Sequence, residues 1–230
     1  MITALSPNHA PRPEGVPVDM LILHYTGMRS AREALDRLRD PAAKVSSHYL
    51  VDEDGAVFLL VPEERRAAHA GQSYWRGHDA LNGRSIGIEI VNPGHEWGYR
   101  EFPALQMAAV CDLCLAILAR HPIPARNVVG HSDVAPDRKQ DPGELFDWEG
   151  LAANGVGLWP HGAAGEDAAL PPDGAARAPA LLGAIGYRTD LPLGVLLTAF
   201  QRHWRQERVD GRADAGTLAR LAAVAALCLG

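Results

Sequence analysis

The chain has 230 residues, a formal charge of −6 and a hydrophobic fraction of 47%, the profile of a globular protein with room for one ordinary domain and a smaller one. From Pro179 onward six arginines face four acidic residues, a balance of +2, so the first 178 residues carry −8. An acidic body with a mildly basic tail argues against nucleic acid as the main partner.

The N-terminal stretch is Pro-rich and polar, an extended lead-in with no basic start, long apolar run or small-residue cleavage site. No later stretch is apolar enough to span a membrane; Leu218–Leu229 is too short and contains Arg220. The three cysteines do not make a disulfide framework. Cys111 and Cys114 lie in an apolar helical run, which favours core cysteines over a metal or redox pair.

Val18 to His24 reads as a buried strand that delivers His24 at its end. Ser30 and Glu33 form a capping box for a helix whose stripe is Ala34, Leu35 and Leu38, stopping before Pro41. Ser47 to Val61 carries two apolar runs around Asp52-Glu53-Asp54-Gly55, a β-hairpin signature. Residues 62–83 read as irregular. Ser85 to Val91 is another strand, with Glu89 inside it, ended by Asn92-Pro93-Gly94. A long helix follows over about Ala104 to Arg120, its apolar side assigned to Leu105, Ala108, Ala109, Leu113, Ile117 and the cysteines. Arg126 to Gly130 is the next strand. Strands alternating with helices predict an α/β fold, and the hairpin makes its central sheet mixed, flanked by helices.

The composition then shifts to Gly, Ala, Pro and Asp, so the organisation reads as a catalytic domain over 1–154, a linker over 155–178 and a small three-helix module over 179–230. The module's helical face carries Leu193, Leu196, Leu197, Phe200 and Trp204. Asp214 caps a last helix bearing Leu218, Leu221, Val224 and Leu227.

The most informative stretch is Gly130 to Gly143, GHSDVAPDRKQDPG. It has neither helical nor strand period and reads as a loop on a strand end. His24, His131 and Asp141 together are borderline ligands suited to zinc, with a fourth position left for water. Zinc would lower the pKa of that water to roughly 7. The competing reading is a hydrogen-bonded strand histidine beside an ordinary polar turn. Glu89 in an apolar strand is either a general base with a raised pKa or a salt-bridge partner. Lys139 is either an oxyanion partner or an exposed loop charge.

The segments LILHYTGM, VSSHYLVDEDGAV, AAHAGQS, SIGIEIVN and GHSDVAPDRKQDPG resemble the zinc-dependent N-acetylmuramoyl-L-alanine amidases. These are the type-2 amidases related to peptidoglycan recognition proteins, and the nearest branch is the AmpD/AmiD type. The resemblance spans about residues 16–150. It implies one zinc per chain on His24, His131 and Asp141, with Glu89 and Lys139 catalytic. It also implies hydrolysis of the amide between N-acetylmuramic acid, or its anhydro form, and L-alanine of the stem peptide. His48, His69, Trp75 and Asn92 are the expected substrate contacts; Ala68 departs from the Trp common before the histidine of W-H-A-G. His9, His78, His95, His121, His161 and His203 read as surface or packing residues. The tail resembles a three-helix peptidoglycan-binding domain through Ile185–Tyr187, Ala199–Trp204 and the VDGRAD run.

The expected partner is therefore peptidoglycan or a muropeptide. An enzyme accounts for all three candidate ligands with Glu89 and Lys139; a non-catalytic recognition module is the alternative, and a wall anchor leaves the 130–143 stretch unexplained. The missing export signal favours a cytoplasmic setting, and the tail a periplasmic or outer-membrane one.

Overall fold

The structure is a computed structural model that describes residues 1–161 and 174–229. The chain opens with two short strands, β1 (Ile2–Thr3) and β2 (His9–Pro11), then reaches β3 (Met20–Tyr25). Helix α1 (Ala31–Arg39) and the hairpin of β4 (Tyr49–Val51) and β5 (Val57–Leu59) follow. Short strands β6 (Arg65–Ala67), β7 (Tyr74–Trp75) and β8 (His78–Asp79) lead into β9 (Ser85–Ile90). Next come α2 (Gly94–Trp97), α3 (Ala104–Arg120), β10 (Val128–Gly130), α4 (His131–Val134) and α5 (Trp148–Ala153). Helices α6 (Gly174–Ile185), α7 (Leu193–Trp204) and α8 (Ala215–Leu229) complete the described chain.

Six strands form one sheet in the order β1-β5-β4-β9-β3-β10. β4, β9, β3 and β10 run parallel, and β5 turns back antiparallel to β4. The sheet is thus mixed and flanked by helices, as the pattern predicts. Side chains alternate between faces along a strand, so β3 feeds two cores. Leu21 and Leu23 join Val110, Leu113, Cys114 and Ile117 of α3. Met20 and Ile22 share a cluster with Ala178, Leu182, Leu196, Leu197 and Phe200 of the C-terminal helices. Each such aliphatic side chain, fully buried, contributes about 1.5–3 kcal/mol. Ala34 and Leu38 of α1 pack with Leu50, Leu60 and Val91 in a third cluster.

The details differ from expectation in five places. Residues 62–83 are not irregular: β6 pairs with β2 of the extended lead-in, and β7 with β8, while β1 extends the sheet edge beside β5. On α3, Leu105 is 70% exposed and Ala108 is exposed too; buried Gln106 instead donates to the carbonyls of Val51 and Val91. Ser30 caps α1 through the Glu33 amide, but the Glu33 carboxylate accepts from Arg29 N–H rather than from the cap's own. Leu227 faces solvent while Leu218, Leu221 and Val224 are buried. Finally, α6 starts at Gly174, with Pro179 inside the helix. Its alanines favour helix, and Ala178, Leu182 and Ile185 form its buried stripe. Residues 162–173 of the expected linker lie outside the described residues. Its first part is packed, with Val156 buried and Trp159 stacked on Trp204.

Candidate metal centre and active site

Register places the site. His24 pairs directly with Glu89 across β3 and β9, so both side chains leave the same face at the strand ends. Gly130 of β10 pairs with Leu23, and His131 begins the turn immediately after it. That turn is helical for residues 131–134, not the plain loop its composition suggests. The Asp133 carboxylate accepts from the Gly130 N–H at 2.8 Å and closes it. The Ser132 amide donates to the Asp141 carbonyl at 2.9 Å, which returns Asp141 to the same point. A Cβ on Gly130 would lie 2.7 Å from Pro142 Cδ, so glycine is required where the two ends of the loop meet.

Three donor atoms converge there. His24 Nδ1 is 2.9 Å from His131 Nδ1, and each lies 3.0 Å from Asp141 Oδ2. Hydrogen bonding fixes the tautomers. Ser85 Oγ–H donates to the Leu81 carbonyl at 2.7 Å, so its oxygen accepts from His69 Nε2–H at 3.1 Å. His69 Nδ1 is then the acceptor for His24 Nε2–H at 3.0 Å. His131 Nε2–H donates to the Ala70 carbonyl at 3.1 Å. When unprotonated, each ring in this tautomer turns a bare Nδ1 lone pair toward the Asp141 oxygen. Lone pairs this close require something positive between them. The triangle is slightly tighter than the roughly 3.3 Å donor edge of a tetrahedral zinc site. Two imidazoles, each oriented by a hydrogen-bonded partner, together with a carboxylate, fit that metal.

The electrostatics agree with a cation cradle. Burial, and then the neighbouring His131, push His24 down to about 4, so its ring is neutral near pH 7. Burial also acts to raise Asp141, but His131 and His24 outweigh it and hold the carboxyl well below its usual range. Among the described residues, this trio is the group of His, Cys, Asp and Glu side chains placed to hold an ion.

Glu89 is half-buried on the cleft wall, with its Oε2 buried and unpaired. Burial, then the Asp141 charge, push it up to about 8, while Lys139 works in the opposite direction. Lys139 is half-buried in the loop and lines the same cleft as Glu89 and the three donors. That cleft measures about 440 Å³ and runs between α1, at Ala34 and Arg37, and the loop from Arg138 to Asp141.

The expected substrate contacts fare differently. His69 does line the cleft, but its ring nitrogens are committed to His24 and Ser85; it orients a candidate ligand. The expectation for Trp75 is corrected, because the residue is 2% exposed and packs edge-on against Tyr187. His48 is also buried, bonded to the Gly87 amide and the Arg65 carbonyl. Asn92 spends its side chain on Arg100 O and Gly94 N. Conversely, His95, read from sequence as surface or packing, is on the cleft wall, accepting from Tyr25 O–H at 3.0 Å and donating to Glu144. Sequence shows Ser85, Gly87 and Glu89 on one strand face by their spacing of two; that His69 fills the space over Gly87 is visible only in three dimensions.

A candidate cation cradle beside an unpaired, protonatable carboxyl at the strand ends carries the groups that a metal-assisted hydrolase uses. The profile of the N-acetylmuramoyl-L-alanine amidase family matches residues 14–144. The chain is 38% identical over 225 residues to the N-acetylmuramoyl-L-alanine amidase AmiD of Escherichia coli (strain K12), spanning 88% of this chain and 80% of that protein. It is 41% identical over 105 residues to the 1,6-anhydro-N-acetylmuramyl-L-alanine amidase AmpD of Citrobacter freundii, spanning 46% and 54%. The structure superposes on E. coli AmiD in complex with anhydro-N-acetylmuramic acid-L-Ala-D-γ-Glu-L-Lys with a TM-score of 0.81 at 36% identity, covering 93% of this chain and 91% of that one. AmpDh3 of Pseudomonas aeruginosa with anhydromuramic pentapeptide gives 0.81 at 35% identity, covering 92% and 93%. The chain belongs to the N-acetylmuramoyl-L-alanine amidase family. An AmpD structure covers only 66% of the chain, so the C-terminal helices align it with AmiD and AmpDh3 over a longer span.

Proposed function

We propose that the chain is a zinc-dependent N-acetylmuramoyl-L-alanine amidase, with His24, His131 and Asp141 holding one zinc ion. The observation that supports it most is the convergence of three lone pairs next to the unpaired Glu89 carboxyl. Zinc bound there supplies a polarised carbonyl and an acidified water. Glu89 takes the proton from the attacking water and returns it to the leaving amine of L-alanine. Lys139 places its ammonium beside the oxygen that gains negative charge. No acyl group is transferred to the protein in this route.

The substrate class follows the ligands named for AmiD and AmpDh3, muropeptides with an anhydromuramic end. A separate proposal is that the C-terminal helices bring the enzyme to polymer. It rests on the sequence resemblance, and co-sedimentation with insoluble peptidoglycan tests it. Of the residues of that resemblance, Ile185, Tyr187, Phe200 and Trp204 are buried, whereas the VDGRAD run over 209–214 is half-buried to exposed and open to contact. Among the described residues, no helix is long and apolar enough to cross a membrane. The main test is metal analysis of purified protein with mass spectrometry of its products from an anhydro-muropeptide. About one zinc per chain, and release of intact stem peptide that a chelator abolishes, is expected. Full activity in metal-free protein refutes the proposal.

A further inference from the structure

His131 sits two residues from Asp133, whose carboxylate is wholly buried. A buried carboxylate is tolerated only with strong partners, and Asp133 has three. Oδ2 accepts from the Gly130 N–H at 2.8 Å and from His203 Nδ1–H at 2.7 Å. Oδ1 accepts from the Tyr187 hydroxyl. Gly130 belongs to the turn itself, while Tyr187 and His203 lie 54 and 70 residues further along, on the C-terminal helical module.

His203 is clamped. Its ring stacks between Trp148 and Trp204, at 3.8 Å from each and with interplanar angles of 20° and 7°. Trp148 begins α5, just past the Asp141 loop. Gln206 Nε2 donates to the Phe146 carbonyl at 2.6 Å, and Arg202 lies 3.6 Å from Glu144. The region around α7 therefore holds the segment carrying His131 and Asp141 at two places, Asp133 within it and residues 144–148 just beyond it. General packing does not account for the chemistry of the junction. An apolar residue at 133 would seal the interface without a desolvation penalty, but it would leave the Gly130 amide and the His131 turn untied.

We infer that the C-terminal helices position the metal-site turn through this buried junction, which makes His203 and Tyr187 positioning residues for the candidate ligand His131. The inference rests on the proposed zinc function for its consequence, and on geometry alone for the turn. Removing the His203 donor frees the Asp133 carboxylate to rotate, loosens the Gly130 cap and misdirects His131 Nδ1. Outer-shell losses of this kind lower metal affinity by about 10–100-fold.

The test uses the full chain with His203→Leu, His203→Asn and Tyr187→Phe. Asparagine keeps an N–H donor near the position of Nδ1; leucine does not. In metal-free protein, exchange of the Gly130 and Ser132 amides should accelerate in His203→Leu and recover in His203→Asn. In zinc-loaded protein, removal by a competing chelator should be about tenfold faster in His203→Leu, with kcat reduced, KM unchanged, and both restored in His203→Asn. Tyr187→Phe keeps the ring and loses one donor, so it should shift the same readouts less, and it decides the matter if His203→Leu does not fold. Folded variants with wild-type amide exchange, zinc retention and kcat, altered only in melting temperature, overturn the inference. Should wild-type protein bind no zinc, the proposed function fails while the amide-exchange comparison still decides the role of the junction.

Discussion

Gly87→Ala is a one-methyl test of how the candidate metal centre is held. Gly87 lies on β9 between Ser85 and Glu89, facing the site. A Cβ there would stand 2.5 Å from His69 Cγ, 2.6 Å from Nδ1 and 2.8 Å from Cδ2. Ordinary carbon contacts are about 3.5–4.0 Å, so the ring must retreat by about 1 Å. It has nowhere to go without breaking something. Its Nδ1 is 3.0 Å from His24 Nε2, its Nε2 is 3.1 Å from Ser85 Oγ, and its backbone N–H is held by Asn82 at 3.0 Å. A 1 Å shift carries at least one side-chain bond beyond hydrogen-bonding range. Overpacking costs about 1–3 kcal/mol, and a buried polar group left unpaired about 1–3 kcal/mol more. The expected destabilisation is therefore about 2–6 kcal/mol in urea titration, with zinc affinity weakened by about 10–100-fold in chelator competition because His24 loses its orienting partner. A Gly87→Ala protein with wild-type stability and wild-type zinc affinity refutes the tautomer chain from Leu81 through Ser85 and His69 to His24.

Glu89→Gln should keep its zinc and lose about 10²–10⁴ in kcat; unchanged turnover in the presence of bound zinc removes Glu89 as the base. Trp75→Ala should destabilise the chain by about 3–5 kcal/mol with no change in KM beyond that of the folded fraction, since the ring is core; a selective rise in KM would restore it as a substrate contact. Glu63 accepts from Arg120, Tyr49 and His121. Burial acts to raise its pKa, but these bonds outweigh that and hold it down to about 2. A depressed carboxyl stabilises the fold above its unfolded value and loses that contribution as pH falls through its folded one. Stability should decline between about pH 5 and 2, and Glu63→Gln should flatten that limb in acid titrations followed by circular dichroism. An identical acid limb in the variant refutes the assignment.

Much of the site was legible because its chemistry lies at element ends. His24 closes an apolar run, Glu89 interrupts one, and His131 follows a third; buried strands leave few reasons for ionisable residues in such places. Parallel pairing of those strands then brings their C-terminal ends together. What escaped the sequence was partnership. Trp75, His48 and Asn92 are polar or aromatic residues near cleft motifs, and nothing local separates a side chain turned to the cleft from one turned to the core. His95, read as surface or packing, lies on the other side of the same divide. The choice is made by distant groups: Tyr187 against Trp75, Arg12 against His48, the Arg100 carbonyl at Asn92.

The C-terminal helices show the same limit on a larger scale. A run of Gly, Ala, Pro and Asp reads as a tether, and a tether implies an independent module. Yet Met20 and Ile22 of the central strand share one apolar cluster with Leu182, Leu196 and Phe200, and Arg76 donates to the Ala184 and Ile185 carbonyls at 3.2 and 2.7 Å. Stripping those helices away would uncover Met20 and Ile22 of β3, the strand that carries His24 near its end. Truncation before Gly174 should therefore do more than remove a binding function: it should leave apolar surface that no remaining helix covers, and the shortened chain should aggregate or lose its cooperative transition in calorimetry. A truncated protein that stays monomeric and melts cooperatively at the full-length temperature would mean that the sheet needs only α3, and that the shared cluster is contact without consequence.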